Sequence, residues 1–87
     1  MNTAKWYKNK PIQIQALQWT RSTSKARMHE FTEHLTQLDD IEEDFKVYDK
    51  LHSVWVPFKY DDWIIRGTQG EYYPCIDSVF KEKYVEA

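Results

Sequence analysis

Several groups of residues carry the side-chain types of catalysis. His29-Glu30-Phe31-Thr32-Glu33-His34 nearly spells a zinc-protease helix, but its histidines stand five residues apart instead of four. On a helix that spacing turns the two imidazoles roughly 140° from each other, which fits surface histidines flanking an apolar stripe better than a shared metal. Cys75 follows Pro74 in an aromatic stretch. A nucleophilic thiol needs a base and an electropositive pocket, and nothing in the sequence pairs Cys75 with His52, so it reads as a buried apolar cysteine. Asp61-Asp62 and Glu71 supply carboxylates. Glycosidase chemistry needs two carboxylates across a cleft, which a short chain rarely builds, and a turn pair with a strand acid accounts for these three. None of these arrangements calls for a metal or a cofactor, and the chain is not expected to be an enzyme.

Binding chemistry has better material. Four Trp, six Tyr and four Phe exceed what a small core needs. If one face of each strand pair is core, the other is free to present Trp55, Tyr48 or Tyr72 outward. Exposed aromatics beside Arg and Lys make platforms for bases, and they are equally a protein-interface signature. The plainer reading is that a small sheet and one helix fill both faces with large residues. Arg66 precedes Gly67-Thr68-Gln69-Gly70. A guanidinium beside turn N–H groups suits a phosphate or carboxylate, unless Arg66 pairs with Glu71 across the turn. Trp55, Trp63, Arg66 and Tyr72 are the contact candidates. Lys5, Lys8 and Lys10 with Trp6 and Tyr7 form a basic aromatic arm, a weak footprint for nucleic acid and a simpler one for a frayed tail. The acidic run from Asp39 to Asp44 resembles nucleic-acid phosphates in charge, but also does no more than solvate a loop. It lacks the glycine and spaced oxygens of a calcium loop.

The whole chain limits these options. Its 87 residues make one domain, 1–87, with residues 1–10 as a flexible arm. The charge of −2 disfavours a generally basic nucleic-acid binder, although the charges are segregated. Residues 1–37 carry six Lys/Arg against two acids, residues 38–49 one Lys against six acids, and residues 50–87 five Lys/Arg against six acids. One cysteine excludes an internal disulfide. No apolar run reaches a membrane span and no signal-peptide segment is visible, so a soluble intracellular domain is expected.

The elements that must position these residues read as follows. Ile12, Ile14 and Ala16 alternate with Gln13 and Gln15, the period of a half-buried strand over 11–19. Its phase slips at Leu17 and Trp19, as a bulge or a strand covered on both faces would require. Ser22-Thr23-Ser24 offers helix caps, and Met28, Phe31, Leu35 and Leu38 form one apolar stripe, predicting a helix over 23–38. Strands follow over 45–48, 54–58, 63–66 and 71–75, with Pro57 marking an edge. Asp77 caps a helical turn through Phe80, and Tyr84-Val85 closes as a short strand. The predicted class is α+β: an antiparallel sheet of four to five strands with one helix packed on a face, in the order β-α-β-β-β-β.

Two blocks carry a resemblance. Asp61-Asp62-Trp63-Ile64-Ile65-Arg66-Gly67, then Gly70-Glu71-Tyr72-Tyr73-Pro74-Cys75, Asp77 and Phe80 resemble the ending of a small family of tailed-phage and prophage proteins. The opening Lys10-Pro11-Ile12-Gln13-Ile14-Gln15-Ala16-Leu17-Gln18-Trp19 resembles that family's start. Asp61 stands where the family pattern has Gly. The resemblance implies a phage origin and residence in the host bacterial cytoplasm, and implies no reaction. The expectation is a non-enzymatic binding protein, an inhibitor or sequestering protein acting on a host protein or a small anionic, nucleotide-like defence signal, and a homo-oligomer. A nucleic-acid-binding accessory protein and a structural component of the phage particle are the alternatives.

Overall fold

The structure, a computed structural model, describes residues 4–8 and 10–87. Residues 1–3 and 9 of the expected arm lie outside the described residues. In chain order the elements are β1 (Gln15–Gln18), α1 (Lys25–Phe31), β2 (Thr36–Asp39), β3 (Asp44–Asp49), β4 (Val54–Phe58), β5 (Trp63–Arg66), β6 (Tyr72–Cys75) and α2 (Asp77–Lys83). All pairings are antiparallel, in two three-stranded sheets ordered β1-β5-β6 and β2-β3-β4. The α+β class holds. The single sheet of four to five strands with one helix does not.

The difference begins where α1 ends. Ser24 caps the helix as expected, its Oγ accepting the Arg27 N–H at 3.0 Å. Thr32 closes it, donating its hydroxyl to the Met28 carbonyl at 2.9 Å. Glu33 and His34 then take φ of 55° and 66°, the left-handed region that breaks a helix. Leu35 and Leu38 continued the apolar stripe by spacing alone. Thr36 and Leu38 instead alternate inward along β2, which pairs Thr36 with Val47 and Leu38 with Phe45. The expected helix tail is thus a strand, and it gives β3 and β4 a sheet of their own. The acidic run becomes the β2–β3 turn, where Asp39 Oδ1 accepts the Ile41 and Glu42 N–H groups, each at 3.1 Å.

One core joins the layers. Trp19, Met28, Phe45, Val47, Phe58, Ile64 and Tyr72 form a single buried cluster drawn from α1 and both sheets, with β3 running beside β6. Trp19 meets Phe45 and Phe58 edge-on at 5.1 and 6.3 Å and stacks on Tyr60 at 5.7 Å. Much of the aromatic excess is therefore core. Leu17 and Trp19 pack on this side while Ala16 faces the other, so β1 is covered on both faces and its phase slip needs no bulge. At the end of the chain α2 extends for two turns, and no strand forms at Tyr84-Val85.

Candidate functional site

The outer face of the β2-β3-β4 sheet is built by simple alternation. Phe45, Val47 and Asp49 of β3 point inward, leaving Lys46 and Tyr48 outward. Their partners on β4 are Pro57 and Trp55, and Gln37 of β2 lies opposite Lys46. The Tyr48 and Trp55 rings meet across the strands at 5.2 Å and 59°. Trp55 is 40% exposed. Pro57 sits on an edge strand, as its missing N–H requires.

The turn after β3 fixes this face. The buried Asp49 takes the Leu51 N–H at 3.0 Å and the His52 N–H at 3.4 Å on Oδ1, and its Oδ2 lies 2.7 Å from His52 Nδ1. The His52 side-chain bond, aided by the two turn N–H groups and opposed by burial, holds the Asp49 carboxyl below the ordinary 3.8. The acidic β2–β3 turn bounds the opposite end of the face. Lys25 reaches Asp40 at 3.1 Å and Arg21 reaches Glu43 at 3.6 Å.

The other candidates do not join Trp55. Trp63 lies on the outer side of the second sheet, beneath α2. It stacks on Phe80 at 4.0 Å and 7°, and its indole N–H donates to Asp77 Oδ1 at 2.8 Å. Gln18 reaches the same oxygen at 3.4 Å, and Lys81 pairs with Oδ2 at 3.1 Å. The Trp63 bond and then Lys81 hold the Asp77 carboxyl low. Three residues of the C-terminal block, Trp63, Asp77 and Phe80, thus meet to dock a helix.

Tyr72 points into the core and is 0% exposed, which corrects the expectation that it faces outward. Burial pushes its phenol up, reinforced by Glu33 and opposed by Arg66. The partner of Arg66 is Glu33, at 3.5 Å, and not Glu71. Glu71 is instead folded over its own turn. Its carboxylate accepts the Gln69 N–H at 3.0 Å, the Gly67 N–H bonds the Glu71 carbonyl at 2.8 Å, and the Gly70 N–H bonds the Gly67 carbonyl at 3.1 Å. A Cβ on Gly67 would land on the Glu71 carboxylate, and Gly70 has φ 78°. The N–H groups of Gly67, Gln69 and Gly70 are therefore engaged from within, beside a fixed negative charge, and the turn makes a poor cradle for an anion.

The two histidines come together: His34 lies past the helix end, so its ring stacks on that of His29 at 6.0 Å and 23° where a continued helix would have turned the two about 140° apart. His29 Nδ1 is hydrogen-bonded to the Thr36 hydroxyl at 2.9 Å. Burial pushes the Cys75 thiol up, and it donates to the Ile76 carbonyl at 3.6 Å. Burial and Tyr84 push the Tyr73 phenol up to about 12. Among the described residues no group of three His, Cys, Asp or Glu could hold a metal ion, and no helix is long and apolar enough to cross a membrane. Sequence reasoning missed the Asp49–His52 clasp and the Glu71 closure. Asp at the end of a strand, three residues before His, was the available signal for the first. Compared with protein-family models, curated proteins and solved structures, the chain matches none.

Proposed function

We propose that this chain is a non-enzymatic binding protein of phage or prophage origin that acts in the host bacterial cytoplasm by holding a host protein stoichiometrically. Its contact surface is the outer face of β2-β3-β4, centred on Trp55. The observation that carries this reading is the Tyr48–Trp55 pair on the outward face of the sheet, with Trp55 exposed and Lys46 and Pro57 next along the same face. Aromatic residues at the centre of such a face are the usual energetic anchors of protein interfaces. A small anionic signal is the weaker ligand, because Arg66 is paired with Glu33 and the N–H groups of Gly67, Gln69 and Gly70 in the neighbouring turn are taken. The acidic turn bordering the face likewise disfavours nucleic acid.

The test is quantitative affinity capture from bacterial lysate with the full chain and its Trp55→Ala variant, alongside native mass spectrometry of each. Trp55 is an exposed edge-strand residue, so the variant is expected to fold. The expected result is a host protein retained by the wild type and reduced at least about tenfold by Trp55→Ala. Equal retention by both proteins overturns the surface assignment. A bound mass of a few hundred daltons in place of a protein overturns the choice of partner.

A further inference from the structure

The covered face of the β1-β5-β6 sheet is not completely filled. Beside the Trp63–Phe80 stack lies a cleft of about 500 Å³, also lined by Ile12, Ile14, Tyr84 and Glu86. Its walls are mostly apolar: Phe80 stacks on Trp63 at 4.0 Å and meets Tyr84 at 5.0 Å. The volume falls in the range that takes a large side chain or a small ligand. One wall is the stretch that leads out of β1 into residues 4–8.

Those residues leave the body of the protein. Trp6 is 102% exposed and Tyr7 is 87% exposed. The Cα radius of gyration is 15.0 Å, against about 12 Å for a compact chain of this length. Tryptophan is among the most buried residues on average, and two adjacent bare aromatics are a standing cost in water. Pro11 at the root keeps the path extended, since it fixes its own φ and disfavours helix at Lys10.

We propose that the arm of one copy docks in the cleft of a second copy, Trp6 and Tyr7 entering beside the Trp63–Phe80 stack, and that the exchange is reciprocal. Arm and cleft share a border at Ile12, so a two-fold axis near that border lets each arm cross to the other copy with the same contacts. Charge favours the match: Lys5 and Lys8 flank the aromatics, and Glu86 stands at the cleft. Area does too. An enclosed Trp or Tyr buries about 150–250 Å², so two arms alone bury about 600–1,000 Å², and with the walls they cover the contact clears the roughly 1,000 Å² of a small specific interface. This surface is separate from Trp55, so the dimer and the host-protein contact stand or fall independently.

Sedimentation equilibrium of the full chain tests it. The wild type is expected to be a dimer, and Trp6→Ala with Tyr7→Ala to weaken it at least about a hundredfold. Trp6 and Tyr7 are almost fully exposed in the monomer, so circular dichroism of the variant should match the wild type. Lys5→Glu with Lys8→Glu should weaken the dimer, and adding Glu86→Lys should restore it. A photoreactive p-benzoylphenylalanine at position 6 should cross-link to residues 80–86 of the other copy. A monomer at about 100 µM, including one with the arm folded into its own cleft, overturns the proposal. So does a dimer indifferent to the arm variants, or a cross-link outside the cleft.

Discussion

Replacing Gly67 by alanine places a methyl group where the Glu71 carboxylate now lies. The carboxylate is the flexible end of its side chain, so the clash resolves by expelling it into water. What is lost is its bond to the Gln69 N–H, 3.0 Å long and charge-assisted. Hydrogen bonds to charged groups contribute about 1.5–3 kcal/mol, and a turn near solvent belongs at the low end, about 1.5 kcal/mol. Gly67 itself does not have a left-handed φ, so alanine returns about 0.5 kcal/mol by restricting the unfolded chain. Gly67→Ala is therefore expected to destabilise by about 1 kcal/mol. In a Glu71→Ala background the clash has no partner, and the same substitution should stabilise by about 0.5 kcal/mol. The assay is urea unfolding of the four proteins of the cycle, followed by tryptophan fluorescence. At roughly 4–8 °C per kcal/mol for a domain of this size, the sign change also shows in thermal melts. Additive effects, with Gly67→Ala equally harmful in both backgrounds, would refute the closure of the turn by Glu71.

Asp61 has φ 77°, where an L-residue is strained and glycine is not. Asp61→Gly should raise stability by about 0.5 kcal/mol after the entropy of a new glycine is counted, and an unchanged or lower melting temperature would contradict that. Asp49 and Asp77 titrate below the ordinary 3.8 in the folded protein. Each binds its proton less readily folded than unfolded. Their contribution is therefore complete above the ordinary value and lost as pH falls through the lower folded values. Urea unfolding from about pH 7 to about pH 2.5 should show a steep acid limb that Asp49→Asn and Asp77→Asn each make shallower, and an acid limb identical in all three proteins would rule the linkage out.

The β part of this fold was legible because its signals are local. Phe45-Lys46-Val47-Tyr48 alternates cleanly, Pro57 marks an edge, and two glycines bracket a turn, and strands, edge and turn stand where those residues put them. The helix boundary was not legible. Leu35 and Leu38 satisfy the helical period, yet Leu38 also fits the strand period with Thr36, and Leu35 reaches the core from just before the strand. What decides between them is the left-handed pair Glu33 and His34, which no periodicity announces. One misplaced boundary removed β2, and with it the division into two sheets.

Of the four contact candidates the structure leaves Trp55 exposed and engages Trp63, Arg66 and Tyr72 within the fold, for a reason tied to the resemblance. The C-terminal block drew attention to all three of those residues. In the structure many members of that block have an internal task. Asp61 takes the left-handed turn, Trp63, Asp77 and Phe80 dock α2, and Arg66 pairs with Glu33 while its guanidinium lies over the ring of Tyr72. Gly67, Gly70 and Glu71 close one turn, and Tyr72 fills the core. Members engaged by the fold tell of an architecture and are silent about a partner. The proposed contact surface lies outside the block, on the strand pair that carries Tyr48 and Trp55.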